Sequence, residues 1–189
     1  NRPKYNRSQK KTIFPFAVYA EKDANGYLNL KLEKADGRKK EVTSFASLQE
    51  AKNMLFKFTA KYHLCQKLTG LYYSKKECFQ YKIKECDGAC IGEVSPEIYN
   101  LRVQQFISEN SFENKSMILL DRGRNVNERS AVLIENGIYK GYAYYDLNYQ
   151  ITNIAILKNI LIPMQHNRDV KNIIQQYIRK SKSLKILHF

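Results

Sequence analysis

The sequence of 189 residues is poor in several residue types, and each shortage excludes a class of protein. It has no tryptophan, only 3 histidines and only 8 glycines. The histidines are too scattered for a histidine metal site, and we find no Ser/His/Asp set, no Cys/His nucleophile pair and no glycine loop that cradles phosphate. No apolar run is long enough to span a membrane. The sequence therefore predicts no self-sufficient active site and no membrane partner.

Acidic residues are also scarce relative to basic ones. The chain has 18 Asp and Glu against 32 Lys and Arg, which gives a formal net charge of +14 and a pI of about 9.6. Such an excess repels itself unless an anionic partner is near, so nucleic acid is the leading candidate. The alternative is a scattered charge that only keeps the protein soluble. No secretory signal opens the sequence, and we expect a cytoplasmic protein.

Only four cysteines are present, and all of them lie in one 26-residue stretch, residues 65–90, which we call the cysteine segment. Cys65, Cys78, Cys86 and Cys90 together predict a shared tetrahedral ligand set for zinc or an iron-sulfur cluster. Only the last two form a tight pair, so the spacing alone leaves both metals open. Two disulfides or buried inert thiols are the alternatives, and disulfides require an oxidising compartment.

The cysteine segment resembles that of a known nuclease family. Residues 78–92, followed by Ser95-Pro96-Glu97 and Tyr99, are similar to the cysteine-rich segment of the excision-repair endonucleases UvrC and Cho. Cys65 stands where that family has its first cysteine. The resemblance implies that the four cysteines hold a 4Fe-4S cluster, which favours iron-sulfur over zinc.

Two further resemblances extend this assignment. Residues 2–6 and 8–17 are similar to the end of a GIY-YIG nuclease domain and the strand that follows it. Other stretches resemble the C-terminal half of bacterial fusion proteins that join an epsilon-type DNA polymerase III exonuclease to a GIY-YIG domain. These stretches are residues 64–71, 78–93, 99–103 and 119–145. The resemblance implies that the catalytic domains lie upstream, because their catalytic residues have no counterpart here.

One partial match to the nuclease signature does not indicate a nuclease domain. Gly137-Ile138-Tyr139 spells the first half of the GIY-YIG signature, but the second half does not follow it. Asn136-Gly137 is typical of a two-residue hairpin turn between two strands. We therefore predict a turn at this position.

Periodicity predicts an α+β fold. Alternating segments at 13–20 and 27–34 predict an N-terminal β-hairpin, while Ser47 and Ser95 each precede helical spacing. These two helices bracket the four-cysteine loop. Beyond residue 111 the pattern predicts a C-terminal antiparallel sheet with one or two helices.

We expect three regions along the chain. Residues 1–11 form a basic arm or the end of an upstream nuclease domain, and residues 12–110 form the hairpin and the four-cysteine helical module. Residues 111–189 form a C-terminal α+β domain, with the boundary where Asn, Ser and Glu cluster.

The leading function is a DNA-binding, cluster-bearing accessory region of a DNA repair nuclease. We expect phosphate contacts from nine basic residues, namely Arg2, Lys4, Arg7, Lys10, Lys11, Lys82, Lys84, Arg122 and Arg124. The loop from Asp121 to Arg129 either binds phosphate or forms an ion-paired turn. The rival function is a protein-docking module that recruits a replication or repair partner. A weaker third idea is nuclease activity in that loop.

Overall fold

The computed structural model describes residues 14–148 and 154–189. The chain divides into two compact units, one ending at Ser111 and the other spanning Phe112–Phe189. Within the described residues, no helix combines the length and apolarity needed to cross a membrane.

The first unit begins with a three-stranded antiparallel sheet in the order β2-β1-β3. Its strands are β1 (Phe16–Lys22), β2 (Leu28–Lys34) and β3 (Thr43–Phe45). Asp23 shapes the turn between β1 and β2, because its Oδ1 accepts hydrogen bonds from the backbone N–H groups of Asn25 and Tyr27, each at 2.9 Å. The predicted N-terminal hairpin is confirmed.

Two long helices follow, and both begin at a serine cap. α1 (Leu48–Lys61) starts after Ser47, whose Oγ accepts from the Glu50 N–H at 3.1 Å, and α3 (Pro96–Asn110) starts after Ser95. These caps satisfy N–H groups that have no partner within the helix. The cysteine segment runs between these helices, as predicted. It also contains a four-residue helix, α2 (Phe79–Lys82), and a 3-10 turn (Ala89–Ile91) that the sequence did not indicate.

Aromatic side chains pack α1 and α3 against each other and against the sheet. Phe58 of α1 and Phe106 of α3 have ring centroids 4.9 Å apart. Tyr27, the residue before β2, meets Tyr99 of α3 edge-to-face at 5.8 Å. These contacts lie in one buried cluster that also includes Cys65 and Cys78. The hydrophobic core therefore positions the two helices that flank the cysteine segment.

The second unit is a five-stranded antiparallel sheet in the order β7-β6-β5-β4-β8, with one helix on each face. Leu157 of the first helix packs with Leu133, and Ile174 of the second packs with Ile134, the next residue along the same strand. Successive strand residues point to opposite faces, so the two helices cover opposite faces of the sheet. The elements are β4 (Met117–Arg122), β5 (Glu128–Glu135), β6 (Ile138–Asp146), α4 (Ile154–Ile160), β7 (Ile162–Pro163), α5 (Arg168–Lys180) and β8 (Lys185–His188).

The fold class agrees with the prediction, including the sheet and helices of the second unit. Asn136 and Gly137 join β5 to β6 with φ values of 50° and 76°. This left-handed pair makes the tight turn that the sequence predicts here, so the nuclease-like tripeptide is part of a hairpin.

A buried carboxylate ties β4 to the end of α5. Asp121 accepts hydrogen bonds from the hydroxyls of Tyr177, Ser181 (3.1 Å) and Ser183 (2.8 Å), and from the Arg122 N–H at 2.7 Å. Burial acts to raise the pKa of Asp121, but these hydrogen bonds outweigh it and lower the pKa to about 2. Folding therefore favours the charged form of this side chain.

We predict that Asp121→Asn lowers the unfolding free energy at pH 7 by about 1 to 3 kcal/mol, because it disrupts a buried set of hydrogen bonds. The folded pKa lies below the ordinary value of 3.8. The contribution of Asp121 is therefore complete above about pH 4 and is lost as the pH falls toward 2. Urea unfolding at several pH values measures both effects.

Asp146→Asn is the matched control for this substitution, because Asp146 lies exposed at the end of β6. It should change the unfolding free energy by less than about 0.5 kcal/mol. Equal stability of the wild-type protein and Asp121→Asn at pH 7 would contradict the prediction.

Candidate metal centre

The cysteine sulfurs converge in the first unit, as the sequence predicts. The Sγ atoms of Cys65, Cys78 and Cys86 all lie within 4.8 Å of one another, and those of Cys65 and Cys78 are 3.8 Å apart. Cys90 packs against the same core, and its charge contributes to raising the pKa of Cys78. All four are free thiols. The four cysteines thus cluster where they could bind a metal.

The end of α1 delivers Cys65 into the core. His63 takes a left-handed conformation with φ 50°, and the Leu64 N–H donates to the Thr59 carbonyl at 2.9 Å. This arrangement ends the helix and turns the chain inward. The Cys65 carbonyl then accepts from the Thr69 N–H at 2.9 Å, which closes the next turn. Cys65 is only 1% exposed as a result.

Two glycines form the loop that carries Cys86 and Cys90. Gly88 and Gly92 have φ values of 81° and 85°, and they flank the 3-10 turn that contains Cys90. The Glu93 N–H donates to the Gly88 carbonyl at 3.1 Å, which closes the loop. Left-handed backbone is disfavoured for residues with a Cβ, so the loop depends on glycine.

Arg102 of α3 links the two parts of the cysteine segment. Its Nη1 donates to the His63 carbonyl at 3.1 Å and to Asp87 Oδ2 at 2.6 Å. One guanidinium thus joins the turn before Cys65 to the loop between Cys86 and Cys90. Sequence reasoning missed this residue, because its partners lie 39 and 15 positions away.

The thiols differ in proton affinity. A hydrogen bond between Cys65 and Cys86 raises the pKa of Cys65 far above its ordinary value and lowers that of Cys86 to about 6. Burial raises the pKa of Cys78 to about 11. A metal ion binds thiolates, so binding here would release protons and would weaken as the pH falls.

The donor set fits both metals that accept four thiolates. A tetrahedral ion about 2.3 Å from each sulfur keeps the sulfurs about 3.8 Å apart, and this is the separation between Cys65 and Cys78. A cubane cluster bonds each thiolate to a different iron, so its sulfurs stand further apart. Tyr99 packs in the same buried cluster, where burial raises its pKa and its hydroxyl has no hydrogen-bond partner among the described residues.

The basic residues predicted to bind nucleic acid are distributed along the chain. Lys82 and Lys84 lie in the cysteine segment, and Lys82 pairs with Glu77 at 3.5 Å. In the second unit, Arg124 makes two side-chain contacts with Glu128, at 2.5 and 2.9 Å, and covers the ring of Tyr144. Arg122 has no such ion pair among the residues described. Five predicted residues lie outside the described segments, namely Arg2, Lys4, Arg7, Lys10 and Lys11.

Comparison with known proteins identifies the class of the first unit. Residues 13–109, just over half of the chain, match the family model of the UvrC/Cho excinuclease middle domain. The chain therefore belongs to the UvrC/Cho excinuclease middle-domain family. No curated protein and no solved structure matches it. The predicted resemblance to UvrC and Cho is confirmed, and all four cysteines lie inside the matched residues, whereas the second unit lies outside them.

We predict that two glycine-to-alanine variants separate the constraints on the cysteine loop. Gly92→Ala should lower the unfolding free energy by about 1 to 2 kcal/mol through left-handed strain alone. Gly88→Ala should cost more, because its new Cβ would lie 2.9 Å from the Cβ of Glu93. Chemical denaturation of the two variants measures this order.

Gly37→Ala is the control, because Gly37 has ordinary φ and a methyl group added there would meet no other atom of the described residues within 4 Å. Its stability should stay within about 0.5 kcal/mol of the wild-type value. A Gly88→Ala variant as stable as this control would show that the loop does not need its left-handed turn.

Proposed function

We propose that this chain is a DNA-binding, metal-bearing accessory region of a DNA repair or processing nuclease whose cleavage chemistry resides in other domains. The observation that carries the proposal is the convergence of the cysteine sulfurs inside the part of the chain that belongs to an excinuclease family. The role of the metal is architectural, because four thiolates leave no open coordination position for a reacting water.

The four residues that would hold the metal are Cys65, Cys78, Cys86 and Cys90. A single zinc ion matches the separation of 3.8 Å between the sulfurs of Cys65 and Cys78. A 4Fe-4S cluster, which the resemblance to UvrC implies, would need the sulfurs of Cys65 and Cys78 to stand further apart than 3.8 Å, because each would bind a different iron. In either case the metal would join the end of α1 to the start of α3.

DNA binding is supported by charge. The net charge of +14 favours an anionic partner, and the cysteine segment itself contains five lysines against three acidic residues. Lys82 and Lys84 lie on either side of Ile83 in the turn that closes α2, between Cys78 and Cys86. A metal at the cysteines would fix the loop that presents these two side chains, so we assign both to the phosphate backbone.

The chain's wider context follows from the resemblance beyond the excinuclease match. We propose that the parent protein joins this region to an epsilon-type exonuclease domain and a GIY-YIG nuclease domain. This proposal rests on the resemblance of residues 64–71, 78–93, 99–103 and 119–145 to such fusion proteins. In that arrangement the present chain holds DNA while the other domains cut it.

We predict that the chain binds a 20-base-pair DNA duplex. The logarithm of its affinity should fall linearly as the logarithm of the salt concentration rises. Each neutralised phosphate contributes about −0.9 to this slope. The double variant Lys82→Gln/Lys84→Gln should therefore flatten the slope by about 1.8. Fluorescence anisotropy across a salt series measures the slopes.

Lys57→Gln/Lys52→Gln is the matched control, because it removes two charges from α1, outside the cysteine segment. It should leave the slope closer to the wild-type value. No detectable duplex binding at low salt would overturn the DNA-binding proposal and favour a module that docks on a repair or replication protein.

A further inference from the structure

Two arginines face each other in the second unit without an acidic partner. Arg122 of β4 and Arg129 of β5 occupy directly opposite positions in the sheet. Like charges at such positions repel each other and destabilise the strand pair. No ion pair involves either guanidinium in residues 14–148 or 154–189, and the neighbouring Glu128 is held by Arg124 at 2.5 Å. An anion between the two side chains would remove this repulsion.

Two concave spaces open beside these arginines. One has a volume of about 300 Å³ and the other about 390 Å³, and both are lined by Arg122 and Arg129. The smaller space is also lined by Lys185 of β8 and Tyr145 of β6. Asp121 lines it too, but its oxygens accept the hydrogen bonds from Tyr177 and the two serines described above. Three cations thus surround a space in which the one carboxylate is already satisfied.

The sheet register places these groups on one face. Arg129 pairs with Arg122 on one side and with Tyr145 on the other, so the three side chains form a row across β4, β5 and β6. Neighbouring strands are about 4.8 Å apart. Lys185 pairs with Leu120, two residues before Arg122, and therefore lies on the same face. The spacing suits one phosphate group held by several donors.

The charge balance of the second unit agrees with an anionic ligand. Residues 112–189 contain twelve Lys and Arg against six Asp and Glu, a net charge of +6. The second unit therefore attracts polyanions on its own account, although it lies outside the excinuclease match.

We infer that the second unit binds a phosphate group of single-stranded DNA through Arg122, Arg129 and Lys185, with the ring of Tyr145 as the surface for the adjoining base. A tyrosine beside cations in a cavity of this size accepts one unpaired nucleotide, whereas a stacked duplex presents no free base face. The inference rests on the proposed nuclease-accessory function for the identity of the ligand. It adds a second DNA contact, distinct from Lys82 and Lys84.

The test uses the 189-residue chain and a fluorescein-labelled oligonucleotide of twelve thymidines, with binding followed by anisotropy across a salt series. Arg122→Gln/Arg129→Gln should weaken binding at least tenfold at low salt and flatten the log-log slope by about 1.4, since each single-strand phosphate contact contributes about −0.7. Lys140→Gln, an exposed lysine on β6 of the same sheet, is the control and should stay within twofold of wild type.

Folding of the double variant is checked by thermal unfolding, and it should be at least as stable as wild type because the repulsion between the arginines is gone. Competition with unlabelled single-stranded DNA, duplex DNA and inorganic phosphate identifies the ligand, and single-stranded DNA should compete best. Wild-type affinity and slope in the double variant would overturn this inference while leaving the proposed function in place. Failure of the wild-type chain to bind either single-stranded or duplex DNA would overturn both.

Discussion

The first unit depends on one constraint, the meeting of cysteine sulfurs between two helices. Cys65 reaches this point because α1 ends in a left-handed turn at His63, and Cys86 and Cys90 reach it because Gly88 and Gly92 permit a tight loop. The segment between α1 and α3 has little regular structure of its own, with one four-residue helix and a 3-10 turn. A metal that binds all four thiolates would supply the cross-links that this segment lacks.

Contacts within the protein itself hold the parts of the cysteine segment together. Aromatic packing between α1 and α3 fixes the two helices, and Arg102 connects the turn at His63 to Asp87 in the loop. The buried thiols would be costly as unpaired anions, and the raised pKa of Cys78 reflects this cost. A bound cation would remove the cost by neutralising the thiolates. Metal binding would therefore couple the folding of the first unit to pH.

Sequence reasoning predicted the features that depend on short local sequence patterns. Serine caps, the Asn136-Gly137 turn and the crowding of four cysteines each have a physical cause within a few residues. The missed features are either too short to show a period, as with α2, or formed by distant partners. Arg102 and the Asp121 contact with Tyr177, 56 positions apart, belong to the second kind. Arg122 and Arg129 lie opposite each other because of the strand register, and the sequence alone does not reveal that register.

The most direct test of this account is elemental analysis, with a visible absorption spectrum, of the chain purified without oxygen. The account predicts one metal centre per chain and no reactive thiols, with zinc giving a colourless protein and an iron-sulfur cluster giving iron, sulfide and a broad visible band. Stoichiometric metal should disappear in Cys78→Ser. A metal-free protein with four titratable thiols, or one with its cysteines joined as disulfides, would contradict the central claim.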